Sequence, residues 1–293
     1  MSAILKKELR SVLTSFTYWG ALAIQALVFA IAILLTNVNG GTAIISVNIQ
    51  YFAFAEALVA LLISYDAYGK ERRQHTERLL YLLPIKSGAV FAGKLLARFV
   101  AILIGGILMA CYPLIMSVLS PSIFAQEGLS AVLAVTLLGL AFTALFMLCS
   151  VTTKNTLLSL IACIVCAVVV YFLPLAVNYV AAVKLLSLPA MIILLLLVAV
   201  IAYNFTSDIM ISLITAAVIE IPLLICYLGH NGAAVFTFVS EVLSGLCLFD
   251  KLNMFVNSIL DISTLIIYAA VCLLFSVLGI LCAGARRTRK GVL

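Results

Sequence analysis

The sequence predicts an all-α fold, a polytopic membrane helix bundle of about eight transmembrane helices, and three observations carry that expectation. Of the 293 residues, 66% are apolar and 10% are charged, against roughly 45–50% and about 25% in ordinary soluble domains. The mean hydropathy is +1.31, and a soluble core of this length cannot hide so much hydrocarbon. The apolar residues fall in continuous runs of about twenty, the length needed to cross a bilayer as a helix, and nearly all Lys and Arg collect on alternate connections. Period-two alternation of the kind barrel strands require is absent from the sequence.

The candidate spans are 18–36, 50–68, 94–118, 129–150, 156–176, 185–203, 208–229 and 262–285. An even number puts both termini on one side. That side then holds Lys6, Lys7, Arg10, Lys70, Arg72, Arg73, Arg78, Lys86, Lys94, Arg98, Lys154, Arg286, Arg287, Arg289 and Lys290, which are 15 of the 17 basic residues; Lys184 and Lys251 lie opposite. The positive-inside rule places both termini in the cytoplasm. The net charge of +6 is thereby topological, and nucleic acid is not an expected partner. Basic residues ahead of the first apolar run raise a signal peptide, but TNVNGG rather than a small-residue cleavage site follows it, so a retained helix is expected. The whole of 1–293 is read as one transmembrane domain.

Three segments do more than span. In 2–16, Leu5, Leu9, Val12, Leu13 and Phe16 share a helical face while Lys6, Lys7 and Arg10 lie largely elsewhere, the pattern of an amphipathic helix in the inner interface. The connection 69–93 opens with dense charge, passes into LLYLL and is broken by Pro84 and Gly88. It predicts a short helix with a polar front and an apolar stripe ending near Pro84, suited to a partner's groove or to packing on its own bundle. In 230–261, Phe236, Val239, Val242, Leu243 and Leu246, and then Leu252, Phe255, Val256, Ile259 and Leu260, recur at helical spacing, interrupted by Glu241, Asp250, Lys251, Asn253, Asn257 and Asp261. Interfacial or re-entrant helices capping the outer face are expected there.

The chain's chemistry is narrow. It has no G-x-x-x-x-G-K-[ST] loop and no G-x-G-x-x-G, the backbone cradles for ATP and dinucleotides. His75 and His230 fall on opposite sides of a bilayer core about 30 Å thick and cannot share a metal or a dyad. Cys163 and Cys166 form a C-x-x-C inside an apolar run, which reads as packing rather than redox or zinc chemistry. Gly105-Gly106 permits close helix contact, and the sequon at 204–206 falls on the cytoplasmic side. Catalytic residues and a metal are not expected. Glu56 and Glu220 are ionisable groups inside spans, where a mid-bilayer charge costs roughly 2.5–3.5 kcal/mol on insertion scales. Each is a candidate for a transport pathway or for a structural polar contact. Asp66 and Asp208, near span ends, are read as solvated.

The stretch from Lys70 to Pro113 resembles the ABC-2-type permease family, most closely its gliding-motility-type branch in Gram-positive bacteria. Glu71, Thr76, Leu79, Leu80, Pro84, Gly93, Lys94, Tyr112 and Pro113 fall on that pattern, with Leu82-Leu83 where members often have Thr-Ser. LFDKLNMFVNSILDISTLIIY resembles the family's segment before the last span through Phe249, Phe255, Asp261 and Tyr268, and ILKKELRSVLTSFTYW resembles its amphipathic start without the usual Ser-Pro turn.

The resemblance implies a permease subunit of an ATP-driven exporter in a bacterial plasma membrane. Its partners would be cytoplasmic ABC ATPase subunits, which bind the ATP and Mg, and a second permease subunit, identical or related. The coupling element would be Glu71, Arg72, Arg73, Thr76, Glu77, Arg78, Leu79, Leu80, Leu83 and Pro84. Alternatives are a stand-alone secondary transporter or channel, which would use coupled ionisable residues or broken helices near the midplane, and a non-transporting assembly factor on the same fold.

Overall fold

A computed structural model describes residues 2–39, 48–74, 87–119, 125–153, 155–182, 241, 244–245, 247–257 and 261–290, and every regular element among them is helical. The chain groups into two compact units, Met1–Ala167 with Leu248–Leu293, and Val168–Cys247. In the second, the described residues are 168–182 and four positions from 241 to 247.

The first unit opens with α1 (Ser2–Leu13), followed by α2 (Phe16–Ile33), which runs on as a π-helical turn, Leu34–Asn39. Then come α3 (Ile49–Ser64), the short α4 (Gly69–Arg73), α5 (Ser87–Leu119), α6 (Ala125–Thr152) and α7 (Thr156–Ala182). The short α8 (Leu248–Lys251) continues as a 3₁₀ turn, Leu252–Asn257, before α9 (Ile262–Lys290).

Six helices among the described residues are long and apolar enough to span: Phe16–Asn37, Ile49–Arg73, Gly88–Val118, Gln126–Thr152, Thr156–Leu175 and Ile262–Gly284. They coincide with six of the eight expected spans; 185–203 and 208–229 lie outside the described residues. Helices satisfy their own backbone groups, so lipid can surround them.

Burial separates two kinds of span. α3 and α6 are 72% and 67% buried, whereas the spans of α7 and α9 are 11% and 17% buried. The central pair is built from small residues. Ala53, Ala60, Ala131, Ala134 and Ala144 have no exposed surface, which lets backbones approach and gain dispersion contact where no hydrophobic effect operates. Gly279 serves the same end, because a Cβ there would run into the Phe91 ring. Outward-facing Leu27, Ile107 and Leu273 are more than half exposed, as expected where lipid is the solvent.

Two boundaries differ from the sequence reading. α5 starts at Ser87, so the end of the 69–93 connection is helical. Val90 and Phe91 are buried, and α1 lies so close that a Cβ on Gly93 would sit 3.1 Å from Ile4. At 33 residues and 1.5 Å per residue, α5 is about 50 Å long, far longer than the hydrocarbon core. Phe16 does not share a face with Leu5 and Val12. Ser15 is extended (φ −75°, ψ 129°) and ends α1, so Phe16 opens α2 and is 90% exposed. The turn forms without proline: Thr14 Oγ1 donates to the Arg10 carbonyl (2.7 Å) and Trp19 Nε1 to the Leu13 carbonyl (2.7 Å).

At the end opposite α1, the described part of the 230–261 cap packs onto the bundle. Leu248, Phe249, Leu252 and Phe255 are buried, Gln50 Nε2 donates to the Phe249 carbonyl (3.2 Å) and to Asn253 Oδ1 (2.9 Å), and the Tyr268 hydroxyl donates to the Leu248 carbonyl (2.9 Å).

Candidate functional site

The basic end of the bundle centres on two cations of α5, one helical turn apart. Lys94 is 2% exposed and Arg98 5%. A buried ammonium is tolerated only when its donors are satisfied, and the three N–H groups of Lys94 meet three acceptors. These are Glu8 Oε1 of α1 (3.1 Å), Glu71 Oε1 of α4 (2.8 Å) and the Ala67 carbonyl (3.0 Å). The Tyr68 ring lies 5.0 Å from the ammonium, within cation–π range. Arg98 donates from Nε to the Ile63 carbonyl (3.0 Å) and from Nη1 to the Lys94 carbonyl (2.8 Å), with Glu8 Oε2 3.8 Å away.

A second tie joins α4 to α6. Helices end with carbonyls lacking intrahelical partners, and cations are favoured there. The Arg72 guanidinium donates to the carbonyls of Ser150 (2.9 Å), Val151 (3.3 Å) and Thr153 at the end of α6. The turn between α3 and α4 is held from the same side, with Ser150 Oγ (3.1 Å) and Ser159 Oγ (2.8 Å) both donating to the Tyr65 carbonyl. Arg73 pairs with Asp66 at 2.6 Å, its own side chain 58% exposed. Lys94, Glu8, Glu71 and Arg72 thus connect α1, α4, α5 and α6.

Several sequence readings change here. Lys94 and Arg98 were expected among cytoplasmic topology charges, yet both are buried ion-pair and hydrogen-bond donors. Asp66, read as solvated, is ion-paired and 15% exposed. Of the expected coupling residues, Glu71 and Arg72 turn into the bundle and Arg73 is exposed; Thr76, Glu77, Arg78, Leu79, Leu80, Leu83 and Pro84 lie outside the described residues. Glu8 was missed, although it is the sole acid in a segment carrying Lys6, Lys7 and Arg10. The Lys94/Arg98 spacing of four is the other available signal, since it places both on one helix face.

Glu56 sits in the packed interior, 1% exposed, and accepts a hydrogen bond from Nε2 of Gln25, also 1% exposed. It is seated against Gly139, where a Cβ would come within 2.7 Å of Glu56 Cγ. One turn away on each helix, Phe29 and Phe52 stack at 3.7 Å. A polar pair therefore bridges α2 and α3 beside α6. Glu220 lies outside the described residues. Cys163 donates to the Phe146 carbonyl (3.7 Å), consistent with packing, and Cys166 lies 3.7 Å from Cys149. Among the described residues no cluster of His, Cys, Asp and Glu could hold a metal ion.

The molecule is a multi-pass helical membrane protein whose long connection begins with side chains anchored in the bundle. A family model described as ABC-2 family transporter protein matches residues 37–284. The chain belongs to that family. No curated protein and no solved structure matches it.

Proposed function

We propose that the chain is the membrane-spanning permease subunit of an ATP-driven exporter in a bacterial plasma membrane, with both termini cytoplasmic and the ATP-hydrolysing subunits on separate chains. Family membership supports an ABC-type permease; the exporter role, the gliding-motility branch and a second permease subunit are the finer parts of the reading. The observation that carries it is Lys94, bonded to both α1 and α4 from within α5. An ATPase seated on 74–84 would pull on a segment whose base is fixed at Glu71 and Arg72. Its displacement would reach α1, α5 and α6 as one body, because breaking a buried ion pair costs about 3–5 kcal/mol. Glu71 and Arg72 are then transmission residues, and Arg78, Leu79, Leu80 and Leu83 are the contact surface.

Purification of the chain from its native membrane, followed by mass spectrometry of the intact complex, tests this. The complex should contain the ATPase for the wild type and lose it for Arg78→Glu/Leu80→Asp. Unchanged association in that variant would contradict the reading.

A further inference from the structure

The basic end also holds a cavity of about 270 Å³, bounded by α1, the start of α2, the end of α3 with the turn after it, α4 and α5. This is several times the ~30 Å³ share of one water and smaller than most drug-sized pockets. Lys7, Ser11, Lys70 and Gln74 line it and are exposed, while Lys94 and Arg98 line it and are buried.

The lining contains three acids, Glu8, Asp66 and Glu71, and three cations pair with them. Lys94 and Arg98 together balance Glu8 and Glu71, and Arg73 pairs with Asp66. What remains is Lys7 on α1 and Lys70 on α4; among the described residues neither side chain has a hydrogen-bond or ion-pair partner. Two uncommitted ammonium groups on different helices, with hydroxyl and amide donors in the same lining, suit an anion.

The level of the cavity narrows the anion's source. Ser15, Thr17 and Tyr18 also line it, in the turn where Phe16 is 90% and Trp19 54% exposed. Exposed aromatic rings at the start of a span mark the edge of the hydrocarbon. The cavity therefore opens at headgroup depth.

We propose that this cavity binds a phosphate-bearing anion between Lys7 and Lys70, and that the anion is the headgroup of a phospholipid from the adjoining leaflet. Bound there, the headgroup bridges α1 and α4 across the Glu8–Lys94–Glu71 cluster and strengthens the same junction. The site does not depend on the transport reading.

The test uses the full chain in phosphatidylcholine nanodiscs containing a minor share of phosphatidylglycerol, with retained lipid counted by native mass spectrometry. Each surface cation near anionic lipid is worth about a factor of five, so Lys7→Gln/Lys70→Gln should weaken phosphatidylglycerol retention about twenty-five-fold. Lys6→Gln/Arg10→Gln removes the same charge from elsewhere on α1 and should weaken retention clearly less than Lys7→Gln/Lys70→Gln. In phosphatidylcholine-only nanodiscs, where the proposed ligand is absent, thermal midpoints of both doubles should match the wild type, since none of these four side chains carries an ion pair among the described residues. Inorganic phosphate and glycerol phosphate, added to phosphatidylcholine-only nanodiscs, separate the sources. Weak binding supports the lipid, and tight binding that needs Lys7 and Lys70 keeps the site but assigns it a soluble ligand, overturning the lipid half. Equal phosphatidylglycerol retention in the wild type and Lys7→Gln/Lys70→Gln, or equal loss in the two doubles, overturns the site.

Discussion

The Lys94 ammonium of α5 lies 2.8 Å from Glu71 Oε1 of α4, and the same nitrogen lies 3.1 Å from Glu8 Oε1 of α1. One cation thereby holds three helices that meet where the long connection leaves the bundle. Lys94→Ala should strand two carboxylates in a poorly solvated place and destabilise the protein by about 3–5 kcal/mol. The triple variant Glu8→Gln/Glu71→Gln/Lys94→Met should recover part of that loss, since Arg98 keeps its carbonyl partners but loses Glu8. Thermal unfolding in detergent compares them; an equal loss in both would show that the charges are not a coupled unit.

Arg72 acts differently, by closing the end of α6. Hydrogen bonds from a charged donor are worth about 1.5–3 kcal/mol, so Arg72→Gln should lower stability by about that much. Hydrogen exchange should speed up locally, at the amides of Tyr68 and of residues 150–153. Uniform exchange across the chain would contradict a local cap.

Glu56 and Gly139 form a size-limited seat. Gly139→Ala places a methyl within 2.7 Å of Glu56 Cγ, and overpacking of this kind costs about 1–3 kcal/mol. Glu56→Gln keeps a hydrogen-bonding group and should be mild, whereas Glu56→Leu leaves the Gln25 amide buried without its partner and should cost more. Unfolding midpoints ranking the leucine variant above the glutamine variant would refute the pairing.

Asp261 caps α9. Its carboxylate accepts from the amide (3.1 Å) and hydroxyl (2.8 Å) of Ser263 and from the hydroxyl of Thr264 (2.6 Å). The Thr264 and Ser263 hydroxyls hold its pKa below the ordinary carboxylate value. A depressed folded pKa means that the cap contributes fully above that ordinary value and is lost as pH falls through the lowered one. Fraying of the first turn of α9, read by NMR, should appear only at the acid end of the range in the wild type and at all pH in Asp261→Ala.

The spans were legible because twenty apolar residues in a row have few alternatives, and six of the expected runs recur as helices here. Boundaries were less so. The start of α5 at Ser87 goes with contacts distant in sequence, Phe91 against Gly279 of α9 and Gly93 against Ile4 of α1, and Glu8 with Lys94 is likewise 86 positions apart. Charge counting grouped Lys94 and Arg98 with the other basic residues of one side and could not name their partners, because a basic residue at a span end looks the same whether it faces headgroups or a carboxylate. Arg72 was singled out for a partner's surface, whereas its guanidinium meets the carbonyls of its own α6. Periodicity reports which face is apolar; it does not report which backbone end needs a cap.

The central claim is that the Glu8–Lys94–Glu71 cluster passes motion from the connection into the bundle. Pulsed EPR distances between spin labels at positions 11 and 263, in vesicles holding the chain with its ATPase, measure this directly. ATP should shift the distance distribution in the wild type and leave it unmoved in Glu8→Gln/Glu71→Gln/Lys94→Met while the ATPase stays bound. The same shift in both proteins would contradict the account.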